Sequence, residues 1–142
     1  MITNHTEIKA WLDTMNIENY TIHDTNTVTV DGDVNISSRN LTKIPVQFRI
    51  VYGKFDCSHN NLKSLEGSPR EVGGDFNCWN NRLKSLNGSP REIGGNFCCW
   101  NNGLESLKHC PCEVGGSFYC FSNKFKKVPN CDAVIGRQLY WE

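Results

Sequence analysis

Apolar positions recur along most of this chain at a spacing that neither a lone helix nor a hairpin produces. Written in rows of 21 residues beginning at Val30, Val51, Val72, Ile93, Val114 and Ile135, like residues fall over like. The best rows read VYGKFDCSHNNLKSLEGSPRE, VGGDFNCWNNRLKSLNGSPRE and IGGNFCCWNNGLESLKHCPCE, which share V-x-G-x-F-x-C-x-x-N-x-L-x-x-L. Self-similarity at a fixed period of this length is the signature of a solenoid, in which each row buries its apolar set only against its neighbours. Five rows and the opening of a sixth span residues 30–142. Within a row, alternation places Val51, Gly53, Phe55 and Cys57 inward and Tyr52, Lys54, Asp56 and Ser58 outward, as one parallel strand per row. Leu62 and Leu65 close the coil from the far side. Asn60, Asn81, Asn102 and Asn123 stand at the bend, where a side-chain amide satisfies backbone groups the turn leaves unpaired. The Ser-Pro-Arg-Glu segments, Ser68 to Glu71 and Ser89 to Glu92, have turn chemistry and are too short for a helix.

Residues 1–29 lie outside the repeat. Ile8, Trp11, Leu12 and Met15 have i, i+3, i+4, i+7 spacing after an Asn4/Glu7 capping pair, which predicts a short amphipathic helix sealing the first coil. Tyr20 to Ile22 and Thr27 to Val30 alternate around a His23-to-Asn26 turn, predicting a hairpin that leads into the first row. The whole is expected to form one structural domain.

The string F-x-C-x-x-N-x-L-x-x-L resembles the leucine-rich repeat signature, with Phe and Cys often standing for Leu on the strand and Arg39 replacing Asn in the first row. The resemblance implies a mainly β, right-handed coil with a curved parallel β-sheet, whose concave face binds proteins. The units C-x-x-N-x-L-x-S-L-x-G-x-P-x-E-V-G-G, paired with an N-terminal Trp helix, are also similar to short repeat proteins of tailed bacteriophages. That likeness implies a bacterial host protein as the partner, including a component of antiphage defence, to be inhibited or redirected in the host cytoplasm.

The constant phase lets outward columns be written down. One is Ser37, Ser58, Trp79, Trp100, Phe121 and Glu142; the column before it is Asn35, Asp56, Asn77, Cys98, Tyr119 and Tyr140. Parallel strands lie about 4.8 Å apart, so Trp79, Trp100 and Phe121 should form one stripe beside the two tyrosines. Exposed aromatic stripes suit binding, because Trp and Tyr are enriched in interface hot spots. The same rings also suit a purely structural role, stacked to stiffen the strand ends.

Charge narrows the choice of partner. Fifteen Lys and Arg balance fifteen Asp and Glu, which argues against a general polyanion binder. Outward Asp33, Asp56 and Asp75 give the early rows an acidic side suited to orienting a basic partner. We expect a non-enzymatic protein-binding module with Trp79, Trp100, Phe121, Tyr119, Tyr140, Asp33, Asp56 and Asp75 as its contact residues. Single-stranded nucleic acid stacked on the rings is the alternative, opposed by the sign of the adjoining face. Burial of the stripe in a homodimer is a third reading.

The remaining chemistry is sparse. Cys57, Cys78, Cys99 and Cys120 recur in the inward column and read as core. Cys110, Cys112 and Cys131 with His109 match zinc ligands in kind but not in spacing, so turn packing is the simpler account and no metal is expected. His5, His23, His59 and His109 lie in unrelated phases, and no nucleophile elbow, HExxH or phosphate loop occurs, so neither catalysis nor a cofactor is expected. The Gly73-Gly74, Gly94-Gly95 and Gly115-Gly116 pairs recur with the coil and read as packing glycines. No apolar run approaches ~18 residues and no leader pattern opens the chain, which predicts a cytoplasmic protein without a membrane span.

Overall fold

The computed structural model describes all 142 residues. It is a β-solenoid of about five turns with a single helix, α1 (His5–Thr14). The side chain of Asn4 accepts the backbone N–H of Glu7, capping α1 as its sequence predicts, and Ile8 and Leu12 are fully buried against the first coil. Strands β1 (Tyr20–Ile22) and β2 (Thr27–Val30) pair antiparallel as the expected hairpin. No helix is long and apolar enough to cross a membrane.

Every later strand pairs in parallel. Strands β4 (Gln47–Val51), β6 (Glu71–Val72), β8 (Glu92–Ile93), β10 (Glu113–Val114) and β12 (Val134–Ile135) extend the hairpin into a seven-stranded sheet. A second sheet of six contains β3 (Val34–Asn35), β5 (Phe55–Asp56), β7 (Phe76–Asn77), β9 (Phe97–Cys98), β11 (Phe118–Tyr119) and β13 (Leu139–Tyr140). Parallel partners are 21 residues apart, for example Phe76 with Phe97 and Val72 with Ile93, except where β2 meets β4, whose first two pairs are 20 apart before a bulge at Val28/Thr29 restores the phase.

One detail differs from the sequence reading. A row holds two short strands meeting at a corner, not one strand, and the corner lies at the glycine pair. A Cβ on Gly94 would collide with the carbonyl oxygen of Gly73, and one on Gly115 with that of Gly94, so adjacent corners stack backbone on backbone. Inward alternation survives on both sides of the corner: Val72, Phe76 and Cys78 are buried. It fails beyond, because Ser58, expected outward, is buried with its N–H and hydroxyl both donated to Asp56 Oδ1.

The core is a column of phenyl rings. Phe48, Phe55, Phe76, Phe97 and Phe118 are buried and succeed one another at centroid distances of 4.7 to 5.8 Å, with Trp11 of α1 joining at Phe48. Burying each ring contributes about 1.5 to 3 kcal/mol. Cys57, Cys78, Cys99 and Cys120 fill the column beside them, and burial raises their thiol pKa values, to about 12 at Cys120.

At the bend, the asparagines close the coil. Asn102 Oδ1 accepts the N–H of Leu83, and its Nδ2 donates to the carbonyls of Cys78, Cys99 and Trp100. Asn81 and Asn123 repeat the pattern one coil to either side. Asn60 accepts from both Arg39 and Leu41, so the first coil is closed although it carries Arg39 in place of its own Asn.

Candidate functional site

Directly before each bend asparagine, the backbone turns through a left-handed residue. Ser38, His59, Asn80, Asn101 and Ser122 all have φ between 52° and 55°, a region where Asn and His are tolerated better than most side chains. This repeated kink terminates the second sheet in the same way in each coil, and the residue before it is Ser37 and Ser58 in the first two coils and Trp79, Trp100 and Phe121 in the next three. The rings therefore leave successive coils in one direction. Trp79 and Trp100 stack at 4.3 Å with planes 10° apart, and Trp100 and Phe121 at 5.3 Å and 12°. All three are half-buried. Tyr119 and Tyr140 stack beside them at 4.9 Å and 5°. The structure thus brings all five expected aromatic residues onto adjacent columns.

Sequence reasoning missed His59, whose ring meets the free end of Trp79 edge-on at 4.1 Å. It also belongs to a second polar ladder on the outer side of the bend, where Asn80 Nδ2 lies 2.6 Å from His59 Nδ1 and Asn101 Nδ2 donates to Asn80 Oδ1. The signal was available, since His59, Asn80 and Asn101 are spaced by 21.

Stacking decides what the stripe can offer. Faces of the two indoles are turned toward neighbours along the solenoid, leaving ring edges to face solvent. Ser68 Oγ is the one buried side-chain polar atom without a hydrogen-bond partner, so the indole N–H groups of Trp79 and Trp100, which bond nothing in the chain, reach solvent. The stripe is an apolar ridge carrying two outward donors.

The expected acidic residues have local tasks. Asp33 Oδ1 accepts the N–H of Lys54 and Asp75 Oδ1 that of Asn96, joining each corner to the next coil. Asp56 caps the Ser58 turn. Asp33 and Asp75 stand next to the corner and Asp56 lies in β5 of the second sheet. A separate row, Glu71, Glu92 and Glu113, stands in register on the first sheet.

No family model, curated protein or solved structure matches the chain. The repeat period, the two-sheet coil and the aromatic ridge therefore carry the functional reading by themselves. His109, Cys110, Cys112 and Cys131 are not grouped as three or more metal ligands. Cys110 and Cys131 are instead neighbours, with sulfurs 3.4 Å apart.

Proposed function

We propose that this protein is a non-enzymatic binding module that holds a protein partner on the ridge of Trp79, Trp100 and Phe121, with His59, Tyr119 and Tyr140 at its margins. The observation that carries this reading is the ridge itself: partly buried stacked rings, fixed by the coil and offering indole donors that have no partner in the chain. Stacking also limits conformational freedom before binding, which lowers the entropic cost of ordering the side chains. Asp33, Asp56 and Asp75 favour a partner with basic residues beside its apolar contact. Base stacking is less well supported, because the indole faces a nucleobase would use are already turned toward other rings.

We further read the rows as leucine-rich repeats of a short type. That reading is supported by F-x-C-x-x-N-x-L and by the asparagine hydrogen bonds at each bend. Given the likeness to short bacteriophage repeat proteins, we propose a bacterial host protein as the partner, bound in the host cytoplasm and inhibited or redirected by the contact.

The test compares capture of partners by wild type, Trp79→Ala, Trp100→Ala and Trp100→Phe, each shown by circular dichroism to be folded. Loss of a hot-spot tryptophan should weaken capture by about 2 kcal/mol or more. Trp100→Phe keeps a stacked ring and removes one donor, so an intermediate loss is expected. A folded Trp79→Ala, Trp100→Ala double variant that captures the same proteins as wild type rejects the ridge as the contact. Oligonucleotide binding that weakens steeply with salt would favour nucleic acid instead. Sedimentation that shifts with concentration in wild type but not in Trp79→Ala would favour a homodimer.

A further inference from the structure

Two of the eight cysteines, Cys110 and Cys131, differ from the rest in that their sulfurs touch. Cys110 and Cys131 continue the column of Ser68 and Ser89, at the turn where the coil re-enters the first sheet. Cys110 keeps that turn's hydrogen bond, its N–H donating to Leu107 O as Ser68 donates to Leu65 and Ser89 to Leu86. Serine at this column supplies the turn equally well, so turn geometry does not explain a thiol in two successive coils. Neighbouring parallel strands stand about 4.8 Å apart, inside the range of about 4.4 to 6.8 Å between Cα atoms that a disulfide accepts. The sulfurs are already in contact at 3.4 Å, and both residues are only half-buried. Cys57, Cys78, Cys99 and Cys120 also repeat at 21, yet they are sealed in the core.

An open cavity of about 970 Å³ reaches the pair from one side, its wall including Cys110, Cys112 and both sequence neighbours Asp132 and Ala133 of Cys131 but not Cys131 itself. Lys108, Lys124, Lys126 and Lys127 line it against only Glu105 and Asp132. A cavity of this size takes a small organic molecule, and four cations against two carboxylates select one with net negative charge.

We propose that Cys110 and Cys131 form a dithiol modification site, oxidised to an intramolecular disulfide by an anionic low-molecular-weight disulfide drawn into the lysine-lined cavity. One thiolate of the pair attacks one sulfur of the incoming disulfide; that S–S bond breaks, and the departing thiolate takes up a proton as one free thiol. The other member, giving its proton to solvent, then attacks the mixed disulfide and releases the second thiol. The chain's two thiols are oxidised to one disulfide while one external disulfide is reduced to two thiols. The hydrogen bond between the two sulfurs favours the thiolate of one member while holding the proton on the other. The new bond would close the segment that carries Phe118, Tyr119 and Phe121, locking one end of the ridge to the last coil. This thiol chemistry is independent of what the ridge binds.

Glutathione disulfide, which is net anionic, is the probe, and intact-mass and peptide mapping after blocking free thiols are the readouts. Wild type and Cys112→Ser should lose two hydrogens, retain no glutathione and yield a Cys110–Cys131 linked peptide. Cys110→Ser and Cys131→Ser should each retain one glutathione on the remaining member of the pair. The wild-type rate should rise with pH as the thiolate forms. Combining Lys124→Gln, Lys126→Gln and Lys127→Gln should slow the reaction several-fold with glutathione disulfide and leave the neutral bis(2-hydroxyethyl) disulfide rate unchanged. Wild type that carries glutathione on Cys98 or Cys112 without forming the link overturns the site. Equal slowing of both probes by the lysine variants overturns the choice of an anionic ligand.

Discussion

At the scale of single residues, the coil depends on a few side chains that satisfy backbone groups. Asn102 is the clearest, because one amide serves Leu83 on one side and three carbonyls on the other. Asn102→Ala should destabilise the protein by about 2 to 4 kcal/mol, since buried groups lose partners and gain none. Asn102→Asp should be at least as damaging, because it keeps the acceptor but aims a carboxylate at carbonyls. Urea unfolding monitored by circular dichroism checks both, and an aspartate variant with wild-type stability would contradict the assigned donor role. Left-handed positions give a second case. Gly67 and Gly88 have φ of 92° and 86°, while the third member of their column, His109, sits at 67°. His109→Gly should stabilise by about 0.5 to 1 kcal/mol as the strain of a left-handed non-glycine residue is relieved. Gly88→Ala should do the reverse, because its Cβ would meet the backbone of Leu65 and Glu66. Thermal melts of the pair decide the sign at each site.

Among the elements, the strands show both what the sequence reveals and what it hides. Stacking in register requires the same residue types at each turn, so the 21-residue phase, the phenyl and cysteine columns, the asparagine ladder, α1 and the hairpin were all legible. Division of each row into two strands was not. Val72, Gly74 and Phe76 are spaced by two, so alternation runs through the corner unbroken and looks like one strand. The signal was the glycine pair itself, which marks close backbone approach. Gly94→Ala should therefore destabilise strongly, since its Cβ would strike Gly73 O. Gly103 shares a column with Asn61, Arg82 and Lys124, and an added Cβ meets nothing nearer than Leu83 O at 3.4 Å. Gly103→Ala should be neutral or stabilising by up to about 1 kcal/mol, through lost freedom of the unfolded chain. If both variants melt together, close packing at the corner is not what selects glycine there.

For the molecule as a whole, a solenoid's stability is approximately a sum over coils and their interfaces, so its ends need not be equal. The aromatic ridge was legible at this scale because it is a column, whereas the edge-on His59 and the Cys110–Cys131 contact depend on side-chain directions that phase alone does not give. The first coil is sealed by α1, with Ile8 and Leu12 fully buried. In the last coil Ile135, Leu139 and Trp141 are only partly buried, and Val134 is 68% exposed. With fewer apolar contacts to lose, residues 124–142 should open first. Amide hydrogen exchange should show protection highest in β5, β7 and β9, lower in β11 and lowest in β13, with α1 more protected than the last coil. Because Tyr140 stacks on Tyr119, the opening should also loosen one margin of the ridge while leaving the Trp79–Trp100 stack intact. Uniform protection across the coils would show a single cooperative unit, and an N-terminal end that exchanges first would mean that α1 does not seal the solenoid.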